Sequence, residues 1–189
     1  MNQLVEFIKL NVPNLSEEAA QIIVHSFVRR EVKKGDLLVV QGKVCENLYF
    51  LVEGISRSYS LKGEDDITTW FSFKNDFITS FTSFFPKERS YENIEMLSDG
   101  LLYQISYQQL LAIRENSIEI ERVLNYFSLS YTIQLEKRLF LIQTHTAAEK
   151  YQLMLQTEPH LIQHIPNKYL ASYLGISRET LSRIRSRIN

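Results

Sequence analysis

The stretch NKYLASYLGISRETLSRIRS, residues 167–186, has the pattern of two short helices joined by a tight turn. Gly175 stands where such a turn needs a positive φ, and Ser177 can cap the second helix by accepting from its first N–H groups. Small Ala171 lies four residues before Gly175, where two helices can cross closely. Apolar contacts between the helices can come from Leu170, Leu174, Ile176, Leu181 and Ile184. The pattern predicts a helix-turn-helix.

The second helix of this pair has an exposed face that can contact DNA. Its predicted contact residues are Ser177, Arg178, Glu179, Thr180 and Arg183. Arginine can bond guanine bidentately, and glutamate can accept a hydrogen bond from cytosine N4. We therefore predict that this face binds double-stranded DNA. The alternative is an ordinary helical hairpin with a solvated charged face.

Charge is distributed unevenly along the chain. Residues 160–189 contain five basic residues and one acid, a net charge of +4. Because the whole chain has a net charge of −1, the first 159 residues carry −5. The basic residues are Lys168, Arg178, Arg183, Arg185 and Arg187. A basic end on an acidic body is typical of a nucleic-acid-binding segment, which favours the DNA interpretation.

Composition limits the class of protein and its compartment. The chain has 189 residues, of which 44% are hydrophobic and 23% charged, as in ordinary globular proteins. No apolar run is long enough to span a membrane, and the N-terminus lacks the pattern of a signal peptide. Cys45 is the only cysteine, which excludes an intrachain disulfide and a cysteine-ligated iron–sulfur cluster within one chain. We predict a cytoplasmic protein with no membrane partner and no metal site.

The segment before the basic end changes its periodicity twice. Residues 2–26 have a helical pattern broken near Pro13, and from Phe27 to about Ser106 short runs rich in Val, Ile, Tyr and Phe follow. The glycines that separate these runs are Gly35, Gly42, Gly54, Gly63 and Gly100. Several short strands at this spacing indicate an antiparallel sandwich or barrel.

Beyond Tyr107 the period is helical again. One apolar stripe is formed by Ile120, Leu124, Phe127, Tyr131, Leu135, Leu139 and Ile142. The stripe is longer than a small β-domain can cover, so we predict that this helix pairs with its copy in a homodimer. The alternative is that it packs on its own domain. The predicted segments are a β sensor domain (1–116), a dimerisation helix (117–143) and a DNA-binding domain (144–189).

This order of elements resembles the Crp/Fnr family of bacterial transcription regulators. The stretch VKKGDLLVVQGKVCENLYFLVEGISRSYS, residues 32–60, has the spaced glycines of that family's cyclic-nucleotide-binding jelly roll. The resemblance covers essentially the whole chain. It implies an α+β fold: an N-terminal cyclic-nucleotide-binding-type β jelly roll with flanking helices, a long dimerisation helix and a C-terminal helix-turn-helix.

The resemblance also assigns roles in the terminal helix. SRETLSR, residues 177–183, is similar to the recognition helix of the catabolite-activator type. The match implies that Arg178, Glu179 and Arg183 contact bases, with Ser177 and Thr180 nearer phosphate. It further implies a pseudo-palindromic operator, half-sites roughly 34 Å apart, and RNA polymerase as a further partner.

One departure from the family concerns the end of the chain. Members of the catabolite-activator type continue into a winged β-hairpin, whereas this sequence ends at Asn189. The wing is therefore either absent or cut off by truncation. Short wingless members with segments such as FITSF (77–81) and SYENIE (90–95) are typical of a Bacteroidetes-like branch.

A second departure concerns the effector site. Thr79 and Ser80 replace the family's Gly-Glu pair, whose glutamate holds the ribose, while Arg89 and Ser90 fall at its Arg-Ser position, which binds the cyclic phosphate. Thr132 of the long helix is placed toward the same pocket by a loose alignment. We predict a degenerate cyclic-nucleotide site, with cAMP a doubtful ligand and the small-molecule effector unknown. The alternative for Arg89 is a solvated loop arginine.

These observations predict a homodimeric, sequence-specific transcription regulator. An enzyme is not expected, because no nucleophile elbow, P-loop, paired-carboxylate motif or metal triad can be placed. The alternative function is a cyclic-nucleotide-binding sensor or adaptor that acts through protein partners, with the terminal hairpin as a docking element.

Overall fold

The computed structural model describes residues 2–115, 117–157 and 159–188. Its strands are β1 (Val28–Val32), β2 (Leu37–Val39), β3 (Asn47–Glu53), β4 (Ser56–Lys62), β5 (Asp65–Ser72), β6 (Phe77–Ile78), β7 (Asn93–Met96) and β8 (Gly100–Ser106). Its helices are α1 (Asn2–Asn11), α2 (Glu17–Ser26), α3 (Phe81–Phe84), α4 (Tyr107–Glu115), α5 (Ile118–Thr144), α6 (Ala147–Thr157), α7 (Pro159–His164), α8 (Asn167–Leu174) and α9 (Arg178–Ile188). Helices flank a β region, which confirms the predicted α+β fold.

The strands form two four-stranded sheets, in the orders β1-β8-β3-β6 and β2-β7-β4-β5. In the first sheet β8 runs antiparallel to both β1 and β3, and in the second β4 runs antiparallel to β7. All residues from Leu48 to Val52 of β3 are buried, because this strand is covered on both faces. On one face Phe7 of α1 packs on Phe50, with ring centroids 5.5 Å apart.

A single apolar core fills the β-sandwich. Its largest fully buried side chains are Leu4, Ile8, Phe50, Leu51, Phe84, Ile94, Met96, Leu102, Ile105 and Ile120. They come from α1, both sheets, α3 and the start of α5. The strands and the first turns of the long helix therefore share one core.

The contacts group the chain into two compact units. One consists of Met1–Ser60 with Phe71–Ser130, and the other of Leu61–Trp70 with Tyr131–Asn189. The tip of the β4–β5 hairpin thus belongs to the unit of the C-terminal helices. The three segments inferred from the sequence remain a prediction, and their boundary at residue 116 lies outside the described residues.

The long helix α5 buries one face in the core of the first unit. Ile120 and Val123 are buried, and Leu124 and Phe127 pack against the same core. Three of these four residues (Ile120, Leu124 and Phe127) begin the stripe that the sequence analysis assigned to dimerisation. For this part of the stripe the alternative interpretation is correct, because its residues pack on their own domain.

Helices α8 and α9 are joined by a turn with defined hydrogen bonds. Gly175 has a φ of 73°, and its N–H and that of Ile176 donate back to the carbonyls of Ser172 and Ala171, each at 3.0 Å. Ser177 Oγ accepts from the Thr180 N–H at 3.2 Å, so the start of α9 is capped. The buried side chains of the pair are Leu170, Ala171, Leu174 and Leu181, and α6 adds Tyr151 and Met154.

In the part of the chain that the structure describes, no helix combines the length and the apolar composition that a membrane span requires. No group of three or more His, Cys, Asp or Glu side chains there is placed to hold a metal ion.

Candidate nucleic-acid interface and effector site

The predicted DNA-contacting residues lie together at the start of α9. Arg178, Glu179 and Arg183 are exposed, and Thr180 is half-buried. Ser177 is exposed and serves as the cap of the helix. The two arginines lie five residues apart on α9, and both side chains are exposed to solvent. Their guanidinium groups are therefore accessible to a ligand.

The charged groups on this face are ordered by local bonds. Hydrogen bonds from the backbone N–H of Glu179 and from the Ser177 hydroxyl, followed by the charges of Arg178 and Arg183, lower the pKa of the Glu179 carboxyl. Arg183 Nη2 donates to Thr180 Oγ1 at 3.2 Å. A carboxylate acceptor flanked by two guanidinium donors can form hydrogen bonds to base edges.

Three further exposed residues of α9 were not among the predicted contact residues. Ser182, Ser186 and Arg187 are also exposed on α9. Ser182 and Ser186 follow Glu179 and Arg183 at spacings of three residues, which places each pair on one side of a helix. The helical period alone could have identified them.

Arg185 differs from the other basic residues of α9. Its side chain is half-buried, its Nη1 donates to Asn167 Oδ1 at 2.7 Å, and its guanidinium lies 5.6 Å from the centre of the Tyr151 ring. These contacts connect α9 to α8 and α6. Arg185 therefore contributes to packing, and the exposed positive charge of α9 comes from Arg178, Arg183 and Arg187.

In the β-sandwich the structure brings Ser80 and Ser90 together. Both are buried, and their hydroxyl oxygens are 3.1 Å apart. Ser90 Oγ also donates to the Glu92 carbonyl at 2.8 Å and accepts from the Glu92 N–H at 3.2 Å. Buried Thr79 donates to the Asn47 carbonyl at 3.1 Å. Each of these three hydroxyl groups therefore bonds within the chain.

Arg89 and Thr132 are not part of this hydroxyl cluster. Arg89 is exposed and pairs with Val44 in an isolated β-bridge, whereas its neighbour Ser90 is 2% exposed. Successive side chains of an extended segment point to opposite sides, which explains the difference. Thr132 is exposed on the part of α5 that belongs to the second unit.

The side chains at the predicted effector positions Ser80, Arg89 and Ser90 do not reproduce a clamp for the phosphate and ribose of a cyclic nucleotide. A phosphate needs a cation or unoccupied N–H and O–H donors, and a ribose clamp needs a carboxylate. Ser80 supplies no carboxylate, the Ser90 hydroxyl already donates within the protein, and the Arg89 side chain is exposed to solvent. Burying an anion beside these groups would be unfavourable without new partners.

Comparison with known proteins identifies the sandwich and the fold. Residues 29–117 match the family model of the cyclic nucleotide-binding domain. No curated protein matches the sequence significantly. The match covers the two sheets, α3 and α4.

Several solved structures share the fold across both units. FixK2 from Bradyrhizobium japonicum is 19% identical, with 86% of this chain and 84% of that chain covered and a TM-score of 0.72. The c-di-GMP-responsive global regulator CLP of Xanthomonas campestris is 15% identical, with 92% and 91% covered and a TM-score of 0.72. A chain classed as a transcriptional regulator of the Crp/Fnr family from Eubacterium rectale is 20% identical, with 90% and 82% covered and a TM-score of 0.72.

Residues 29–117 are thus similar to a cyclic nucleotide-binding domain, and the chain has the fold of these Crp/Fnr-type structures. The predicted resemblance to that family is confirmed at the level of the fold. Two of these similar structures carry the description of a regulator.

Proposed function

We propose that this protein is a homodimeric, sequence-specific DNA-binding transcription regulator in which α8 and α9 form a helix-turn-helix. The observation that carries the proposal is the exposed face of α9, with Arg178, Glu179 and Arg183 on a capped helix after a tight glycine turn. Its side chains are the types that bond guanine and cytosine edges in the major groove. RNA polymerase as a partner and a cytoplasmic location remain predictions.

A second face of α5 supports the dimer. Large apolar side chains are exposed there at Tyr126 (38%), Leu129 (57%), Ile133 (43%) and Phe140 (59%). They are separated by three, four and seven residues, the spacing of a seam between paired helices. This face lies opposite the one that packs Ile120 and Phe127 against the core. We propose that two copies of the chain pair through it.

Titration with duplex DNA at two salt concentrations tests the proposed function. We expect saturable binding that weakens steeply with salt, because each neutralised phosphate adds about −0.9 to the slope of log K against log salt. A parallel titration with cAMP and cGMP is expected to give no heat of binding. Nucleotide binding without DNA binding would instead support the alternative, a cyclic-nucleotide sensor that acts through protein partners.

The pairing face is tested by substituting Leu129→Glu together with Ile133→Glu. We expect the dimer dissociation constant to rise at least about a hundredfold, since buried carboxylates would lack partners in an apolar seam. Light scattering coupled to size exclusion measures the mass of the particle. Tyr91→Glu is the control, because Tyr91 is 68% exposed in the loop before β7 and is not part of α5. A double variant that stays dimeric would contradict the assignment of this face.

A further inference from the structure

The hydroxyl of Ser172, on α8, bonds to the main chain of strand β5. Its Oγ accepts from the Thr68 N–H at 2.9 Å and donates to the Asp66 carbonyl at 3.0 Å. Both partners belong to the hairpin tip Leu61–Trp70, which lies in the same compact unit as α8. One side chain thus holds a helix to a strand through two hydrogen bonds.

The Ser172 hydroxyl takes the place that a neighbouring strand would have beside β5, because it pairs with a main-chain N–H and a main-chain carbonyl of that strand. β5 is the outermost strand in the order β2-β7-β4-β5. In an outermost strand, an N–H and the carbonyl two residues earlier point to the same side and are available to a partner. Ser172 supplies one acceptor and one donor to this pair. Thr68 is 2% exposed, so an N–H left without its bond there would be costly.

Two basic side chains hold the last turn of the same helix. The guanidinium of Arg138, on α5, lies 3.7 Å from the centre of the Tyr173 ring, and its Nη2 donates to the Tyr173 carbonyl at 3.4 Å. Lys150 Nζ, on α6, donates to the Leu174 carbonyl at 3.3 Å. The last carbonyls of a helix have no partner within the helix, so these contacts satisfy groups that need one.

We propose that Ser172 and Arg138 are positioning residues that fix the α8–α9 pair against the β4–β5 hairpin and α5. This proposal rests on the proposed function. In the dimer, the distance between the two copies of α9 depends on how each copy is held against its own α5. A fixed distance matched to the operator lets the second half-site bind at high effective concentration, whereas a loosely held α9 loses that advantage.

The positioning role differs from DNA contact in a measurable way. Ser172 and Arg138 bond to the hairpin and to α8, while the exposed arginines of α9 are Arg178, Arg183 and Arg187. Loosening the attachment therefore leaves the contacts within a single half-site intact. Only binding that engages both half-sites at once depends on it.

The test compares Ser172→Ala with the natural protein on two duplexes, a complete palindrome and a single half-site. We expect affinity for the palindrome to fall about fivefold to tenfold, because the variant loses both hydrogen bonds that hold α8 to β5. Affinity for the half-site is expected to change less than about twofold, within the scatter of such contributions. Hydrogen exchange at the Thr68 amide is expected to accelerate, which reports the lost attachment directly.

Two further variants keep the test decisive. Ser172→Thr retains the hydroxyl and is expected to restore palindrome binding. Arg138→Lys keeps the charge but loses the planar stack on Tyr173, so it is expected to weaken palindrome binding selectively.

Equal losses on both duplexes, or no loss on either, would overturn the positioning role while leaving the DNA-binding function in place. A natural protein that binds neither duplex would overturn the proposed function itself.

Discussion

Replacing Arg178 and Arg183 together by alanine is expected to reduce the affinity for operator DNA about a hundredfold, because a bidentate arginine–guanine contact contributes about 1–3 kcal/mol. Both side chains are exposed on α9, and neither packs into the core of its unit. Their loss should therefore leave the fold unchanged. Fluorescence anisotropy with a labelled operator measures the affinity, and thermal unfolding confirms that the variant is folded.

Arg29→Ala is the matched control for this double substitution. Arg29 is an exposed arginine on β1 whose guanidinium pairs with Glu31 at 2.9 Å, so its removal changes charge without touching α9. It should alter operator affinity very little. If Arg29→Ala weakens binding as much as the double variant, charge alone explains the effect. If the double variant binds normally, α9 does not contact the bases.

The largest effect on stability is expected from Glu95→Ala, which should lower the free energy of unfolding by about 3 kcal/mol. Arg57 and Glu95 face each other across β4 and β7, and Arg57 Nε donates to Glu95 Oε1 at 2.6 Å. The Arg57 side chain is only 2% exposed, and its guanidinium lies 4.0 Å from the centre of the Tyr59 ring. Without Glu95 this buried cation loses a charged partner that water cannot replace.

Urea unfolding of a small set of variants checks the explanation. The double variant Arg57→Met, Glu95→Met should recover most of the lost stability, because apolar residues can replace a buried ion pair at little cost. Glu31→Ala breaks an exposed pair and should have almost no effect. A Glu95→Ala variant as stable as Glu31→Ala would show that the buried pair contributes little.

Local signals in the sequence predicted the α8–α9 turn and the β region well. Gly175 and Ser177 act through their own backbone and side chain, so their neighbours in sequence suffice to interpret them. The strands between Phe27 and Ser106 were predicted equally well, because spaced glycines mark the turns between strands whatever the later packing of those strands. The predicted apolar contacts agree, with Leu170, Leu174 and Leu181 buried. These features depend on spacing along the chain.

Features that depend on packing between residues far apart in sequence could not be predicted from the sequence. Two apolar faces run along α5, and only the burial of Ile120 and Val123 shows which one belongs to the core. Likewise, nothing in the sequence indicates that Ser172 of α8 bonds to β5, because its partner Thr68 lies 104 residues away. The opposite exposure of Arg89 and Ser90 follows from backbone pairing with residues 42–44, which the motif alone does not reveal.

The exposed seam on α5 has a consequence for how the protein would respond to its own abundance. If two chains must associate before both half-sites are occupied, operator occupancy at low expression rises with the square of the number of chains. A modest change in synthesis or degradation would then produce a disproportionate change in output. The apolar face of α5 would be exposed on a monomer, so chaperones and proteases would bind and remove monomers in preference to dimers. This removal would make operator occupancy depend still more steeply on the number of chains.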